Sequence, residues 1–271
     1  MKLRLREHRE FREVFRNLGK NDIEDITLNL DRDRLSIKEP DRTMVMFFNI
    51  DIKSSYFDEY KLDSDKTVGE SFTVSLIDLN NILKNIDKNA KIEFNTSVKD
   101  TLNIISETEY LTKQTLPLLE VKKEEVNLNI DTMTFKSSFT INSKNLIEII
   151  RKFNKDNSLT IETDSIYEKI HFTTDKHDNI TIFKGTDILS DLNLNNAKSR
   201  YSIELLSKLS GFFKLFDKVK VSFSEDYPIK FNMSNENINI EILLAPRISE
   251  EWYDNQRIDI TIITYIIYHT Y

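Results

Sequence analysis

The residue types able to carry chemistry are few in this chain and lie far apart. The four histidines are His8, His171, His177 and His269. None has a second histidine at metal-binding spacing. His8 sits at a charged helix start and His171 and His177 flank turns, so the histidines are expected at the surface. Cysteine is absent, which excludes a thiol nucleophile, a disulfide framework and a cysteine-ligated zinc site. Asp31, Asp33 and Asp41 could approach a cation, but their strand-rich setting reads better as turns and register. Ser54 and Ser55 have no local base partner. No phosphate-cradling glycine loop and no nucleophile elbow occurs. No catalytic residue, metal site or cofactor is therefore expected, and the chain is expected to work by binding.

The elements that would position a binding surface follow from hydrophobic period. Four amphipathic helices are predicted, at His8–Leu18, Ser75–Ile86, Ser143–Phe153 and Ile203–Phe213. Their inward residues include Phe11, Phe15 and Leu18, then Leu79, Ile82, Leu83 and Ile86. Leu146, Ile149, Ile150 and Phe153 serve the third, and Leu205, Leu206, Leu209 and Phe213 the fourth. Strand-like runs fill the rest: Leu3–Leu5, Ile23–Asn29, Arg34–Ile37, Met44–Ile52, Ser71–Val74, Lys91–Phe94 and Thr101–Ser106 come first. Phe139–Ile141, Ser158–Glu162, Lys169–Thr173, Asn179–Phe183, Lys218–Phe223, Ile229–Met233 and Ile238–Leu243 follow. The order strand, helix, strands, helix, strands occurs twice, a weak duplication of plan rather than of residues. This implies an α+β protein of two similar domains, at residues 1–117 and 132–250. Residues 118–131 read as a linker and residues 251–271 as an extension.

Each predicted helix carries basic residues off its apolar face. Arg9, Arg12 and Arg16 make a stripe on the first, and Lys84 and Lys88 belong to the second. Arg151 and Lys152 end the third, while Lys208 and Lys214 belong to the fourth. Such cations can meet phosphates without reading bases, or can be a solvated face and nothing more. The net charge of -7 argues against a general nucleic-acid coat but permits one basic face. Nothing at the amino end resembles a secretory leader, and no apolar run approaches the ~20 residues of a membrane span. An intracellular setting is the expectation, cytoplasmic or nuclear according to origin.

Three segments narrow the reading. Arg34–Phe47 (RLSIKEPDRTMVMF) leads to Ser55–Lys61 (SYFDEYK), with Asp41, Phe57, Glu59 and Tyr60 at characteristic places. Asp226–Lys230 (DYPIK) and Leu243–Ile248 (LLAPRI) follow near the end. In order and spacing these resemble the DNA sliding clamps of the proliferating cell nuclear antigen family, over about residues 1–250. The resemblance implies a clamp fold with antiparallel sheets outside and two helices per domain lining a ring. It implies a non-catalytic processivity factor that self-associates as a trimer or heterotrimer around duplex DNA. Its implied partners are a DNA polymerase, a clamp loader and other proteins bearing short clamp-interacting motifs.

The same resemblance gives the basic residues a role. Arg9, Arg12, Lys84, Arg151 and Lys208 become candidates for loose phosphate contact, with Arg16, Lys88, Lys152 and Lys214 behind them. Asn81 and Glu148 stand where many relatives are basic. It also implies a pocket for client peptides, formed by Pro40 and Met44, by Val126, Leu128 and Ile130 of the linker, and by Pro228, Leu243, Leu244, Ala245 and Pro246. Read without the resemblance, these apolar residues are a strand end and a sticky linker. The competing functions are a specialised viral, checkpoint-like or heterotrimeric clamp subunit, a metal-dependent DNA enzyme, and a plain scaffold.

Overall fold

The computed structural model describes residues 1–62, 69–96, 98, 100–120, 133–176 and 178–247. The chain forms two compact units. The first takes Met1–Asp41, Phe48–Glu125 and Ser234–Ile240, and the second takes Arg42–Phe47, Val126–Met233 and Glu241–Tyr271.

Along the first half run β1 (Lys2–Leu5), α1 (Arg9–Gly19), β2 (Asp25–Leu30), β3 (Arg34–Pro40), β4 (Met46–Lys53), β5 (Glu59–Lys61), β6 (Glu70–Ser75), α2 (Leu76–Asn85), β7 (Lys91–Asn95), β8 (Thr101–Glu107) and β9 (Leu111–Pro117). One sheet has the order β5-β1-β7-β8-β9, and a second run is β4-β3-β2-β6. The burial of β2 alternates residue by residue, with Ile26, Leu28 and Leu30 inward, as a strand with one buried face requires. Helix α1 buries Phe11, Val14, Phe15 and Leu18, and the Phe11 ring lies 4.6 Å from Phe15 and 5.4 Å from Phe94. Gly69 allows a close crossing, since a Cβ there would stand 2.4 Å from the Leu30 carbonyl oxygen.

The second half has β10 (Ser137–Asn142), α3 (Ser143–Lys152), β11 (Ser158–Asp164), β12 (Lys169–Thr174), β13 (Asn179–Phe183), β14 (Leu189–Asn193), β15 (Ala197–Ser202), α4 (Ile203–Phe213), β16 (Lys218–Phe223), β17 (Ile229–Ser234) and β18 (Ile238–Leu244). Its sheets follow the orders β14-β10-β16-β17 and β13-β12-β11-β15. Thus the α+β plan expected from the sequence is present, with two helices and antiparallel strands in each half.

Three of the helices start directly from the end of a strand, and a polar residue at each junction caps the first turn. Ser75 Oγ accepts from the Asp78 amide at 3.2 Å, Asn142 Oδ1 from Lys144 at 3.0 Å and Ser202 Oγ from Leu205 at 3.5 Å. These bonds satisfy donors that the helix itself leaves open. Helix α1 has no side-chain cap of this kind.

Four strands escape the periodicity analysis: β5, β9, β14 and β15. Each is an edge strand. An edge strand needs little apolar sequence, because one flank faces away from the sheet. Strand β15 (AKSRYS) buries only Ala197, Ser199 and Tyr201.

Candidate DNA-facing helices and partner surface

The nine predicted helix cations do not share one environment. Arg9, Lys84, Lys88, Arg151, Lys152 and Lys214 are exposed. Lys88 lies past the end of α2, and Lys214 is the C-terminal cap residue of α4. Arg16 is exposed but paired with Glu13 at 2.5 Å. Lys208 is half-buried and lies 3.8 Å from Glu204 one turn earlier. Asn81 and Glu148 are exposed on their helices.

Arg12 departs most from a simple phosphate contact. It is half-buried, and its guanidinium donates to the Ile86 carbonyl at 3.1 Å and to the Lys84 carbonyl at 3.4 Å. Those carbonyls end α2, where a cation complements the helix dipole and satisfies open acceptors. The arginine therefore ties α1 to α2. Asn80 adds a second tie by donating to the Phe15 carbonyl at 3.0 Å.

His8 is a correction to the surface expectation. It is 2% exposed, and its Nε2 lies 3.0 Å from the Ala90 carbonyl. A carbonyl only accepts, so Nε2 carries the proton. Nδ1 is buried with no hydrogen-bond partner among the described residues. Burial first, and Arg12 second, lower the pKa of His8 below its ordinary value. The charged sequence around His8 hid this, because the ring points into the turn that follows α2. His171 is half-buried and meets Thr181 Oγ1 at 2.8 Å. His177 and His269 lie outside the described residues.

Asp31 behaves as a turn former. Asp31 Oδ1 accepts from the amides of Asp33 at 2.8 Å and Arg34 at 2.9 Å, a local side-chain turn. Burial opposes ionisation of Asp31, but those amides and Arg34 hold its carboxyl below the usual range. Asp41 is buried at 2% exposure. Among the described residues no group of three or more His, Asp or Glu is placed to hold a metal.

The predicted client residues divide between core and surface. Leu243 and Leu244 are 1% and 0% exposed, and Pro228 and Pro246 are buried. They are floor rather than contact surface, which corrects the expectation of an exposed cluster. Met44 and Ala245 are half-buried, and Met44 has a φ of 58°. Pro40 is half-buried at the end of β3. Val126, Leu128 and Ile130 lie outside the described residues.

Above this floor are residues that the sequence reading passed over. Met133 and Phe135 are partly buried and pack against Phe47 and Leu243. The Phe135 ring meets Tyr227 edge-on at 5.7 Å and lies under Lys230 Nζ at 5.8 Å. The Ala245 amide donates to the Val45 carbonyl at 2.9 Å, fixing the chain where it leaves β18. Half-exposed Met, Phe and Tyr over a packed base form a surface suited to an apolar anchor. The only hint in the sequence is M-T-F just after the proposed linker.

Comparison with known proteins extends these observations. Residues 1–132 match the family described as "Proliferating cell nuclear antigen, N-terminal domain". DNA polymerase sliding clamp 3 of Sulfurisphaera tokodaii is 26% identical over 242 residues, covering 88% of this chain and 95% of that protein. DNA polymerase sliding clamp 2 of Sulfolobus acidocaldarius is 24% identical over 261 residues, covering 91% and 99%. A crystal structure described as a PCNA2–PCNA3 complex from Sulfolobus tokodaii superposes with a TM-score of 0.79 at 22% identity, covering 91% of this chain and 99% of that one. Proliferating cellular nuclear antigen from Entamoeba histolytica gives 0.78 at 20% identity, with 91% and 98% covered.

Proposed function

We propose, for a chain that matches the DNA sliding clamp family in sequence and fold, that it acts as a DNA polymerase processivity factor. It encircles duplex DNA in an assembly of three subunits and tethers polymerase and other replication or repair proteins. The clamp family is a family of non-catalytic scaffolds, and this role needs no reaction.

The observation that carries the reading is that each of the four helices has an exposed cation, unpaired among the described residues, on it or at its end. On a chain of net charge -7, Arg9, Lys84, Lys88, Arg151, Lys152 and Lys214 stand exposed with no ion pair among the described residues. All of them sit on, or just past the end of, a helix. Lys38, Lys53 and Lys220 are exposed on strands without an ion pair among the described residues as well, but several cations of the first sheet are neutralised. On the exposed face of the first sheet, Arg4 meets Glu93 at 2.8 Å, and Lys2 and Lys61 meet Glu59 at 3.1 Å and 2.7 Å. Free helix cations supply sequence-independent attraction to phosphates.

Self-association has its own support in two open strand edges. In β9 the even-numbered backbone groups face β8, as shown by Thr108 donating to Tyr110 O and Leu118 to Asp100 O. Leu111, Lys113 and Thr115 therefore point theirs outward. In β13 the donation of Lys184 to Glu168 O fixes the even residues inward, leaving Asn179, Thr181 and Phe183 outward. Large apolar groups crowd these edges, with Leu111 66% and Phe183 57% exposed. One copy's β9 can thus pair with the next copy's β13, continuing a sheet between subunits. Client peptides engage the Met133–Phe135 surface beside Ala245 and Pro246, with Leu128 and Ile130 of the linker contributing.

The test is the solution mass of the purified chain by light scattering, followed by retention on circular DNA. Three times 32.0 kDa and loss of retention when the circle is cut support the reading. A stable monomer that no clamp subunit can recruit overturns it. A second reading, a mixed ring, is favoured by the likeness to a complex of two different clamp chains. It expects a monomer or dimer alone and a ring only with a partner chain.

A further inference from the structure

Seven large apolar side chains stand exposed among the described residues, and five of them gather at two strand ends. Ile166 and Tyr167, 78% and 68% exposed, lie in the turn between β11 and β12, and the exposed Phe183 ends β13. Phe183 is directly opposite Lys169, the first residue of β12, so the turn and Phe183 share one end of one sheet. The other two, Tyr110 and Leu111, are exposed where β8 turns into β9.

The turn between β11 and β12 is held in place by its own polar groups. Asp164 Oδ1 accepts from the Ile166 amide at 2.9 Å and the Tyr167 amide at 3.0 Å. Asn196 Oδ1 accepts from the amide and the hydroxyl of Ser165, at 2.9 Å and 3.0 Å. The Glu168 carboxylate pairs with Lys184, and Lys169 Nζ lies 4.7 Å over the Tyr167 ring. Apolar side chains displayed on a fixed turn lose little freedom when they meet a partner, and an exposed apolar cluster is a contact surface.

We propose that this turn belongs to the contact between copies: Ile166 and Tyr167 of one copy, together with Phe183, close over Tyr110 and Leu111 of the next. The inference rests on the pairing of β9 with β13 proposed above and adds to it a segment that lies on neither open edge. Every pairing within the two sheets concerned is antiparallel. The same sense between copies sets the end of β13 against the start of β9. Leu111 is on the face opposite buried Leu116, and Phe183 on the face opposite buried Ile182. A continued sheet keeps its buried faces together, so Leu111 and Phe183 share the exposed one. With Leu111 opposite Phe183, Lys113 faces Thr181 and Thr115 faces Asn179. A slip of two residues would set Phe183 against Glu109 or Lys113 instead. Strands lie ~4.8 Å apart, so a Tyr167 side chain beside Lys169 reaches across Phe183 toward Leu111 and Tyr110. A parallel pairing would put Leu111 and Phe183 at opposite ends and leave both apolar groups in water.

Sedimentation equilibrium of the full chain over a range of concentrations tests this. The variants are Ile166→Ser with Tyr167→Ser, Tyr110→Ser alone, and all three together. Each of the first two is expected to raise the concentration of half-dissociation by about tenfold or more. Circular dichroism should not change, because all three side chains are exposed in the single copy. The combination should do less than the product of the two effects, since both remove the same contact. A trimer as tight as the parent in either of the first two variants overturns the inference and leaves the pairing of β9 with β13 standing. Fully multiplicative effects also overturn it, because the two turns would then act apart. A parent chain that stays monomeric at every concentration overturns self-association itself, and this inference with it.

Discussion

Replacing Arg12 with Ala should separate two roles that its sequence position blends. Arg9 and Arg12 lie one turn apart on α1 and both looked like phosphate contacts, yet only Arg12 holds the end of α2. The contact to Ile86 O at 3.1 Å is a full hydrogen bond, and that to Lys84 O at 3.4 Å is a weak one. A hydrogen bond from a charged group contributes about 1.5–3 kcal/mol. Arg12 is half-exposed, so water replaces part of what is lost, and we expect a loss of about 1–2 kcal/mol. Arg9→Ala removes the same charge from an exposed position and should change stability by no more than about 0.5 kcal/mol. The assay is urea unfolding of both variants against the parent, with retention on circular DNA measured alongside. Arg9→Ala should weaken retention at unchanged midpoint, and Arg12→Ala should lower the midpoint. Arg12→Lys should fall between, since a single ammonium cannot span two carbonyls as a guanidinium does. Coincident midpoints for Arg9→Ala and Arg12→Ala would refute the assignment of Arg12 as a tie between helices.

Other consequences can be measured as directly. His8 has a lowered pKa when folded, so the unfolded chain takes up the proton first as pH falls below about 6.5. Stability should decline there by up to about 1.4 kcal/mol per pH unit until the folded histidine titrates. His8→Gln should flatten that part of the pH curve, and an unchanged slope would show that another group is responsible. Lys113→Pro removes an outward amide of β9 without touching its ladder to β8, so light scattering should show smaller assemblies while circular dichroism stays the same. Phe135→Ala should weaken binding of a client peptide with an aromatic anchor by about tenfold or more. Full binding by that variant would move the client surface elsewhere.

The legible part of the fold was the part that period alone dictates. Helices α1 to α4 announce themselves because apolar residues every third or fourth position leave one solution for burial, and Ser75, Asn142 and Ser202 mark three of the starts. Central strands such as β2 and β8 were found for the matching reason. Edge strands were missed because their sequences answer to only one neighbour: Leu111–Pro117 carries Lys, Gln, Thr and Pro. The candidate site was legible in residue type but not in partner. Nothing in the sequence distinguishes Arg9, which is exposed, from Arg12, which is bonded to backbone, because carbonyl partners leave no mark on sequence. The buried state of Leu243 and Leu244 was equally hidden, since an apolar pair at a strand end reads alike whether it lines a pocket or floors one.

The charge pattern carries a consequence for how such a ring would hold DNA. Pairing withdraws Arg16 through Glu13 and Lys208 through Glu204, and Arg12 is committed to carbonyls. What remains on the helices is a sparse set of single cations, while Asn81 and Glu148 add no attraction. Each phosphate neutralised changes the salt slope of binding by about 0.9, so a few loose contacts give a weak grip that salt erodes. A tight grip would also oppose sliding. Retention must then come from closure of the ring rather than from attraction. Raising salt should release the assembly quickly from linear DNA, whose ends are open, and far more slowly from a closed circle. Equal release from both forms would mean that attraction, not encirclement, holds this protein on DNA.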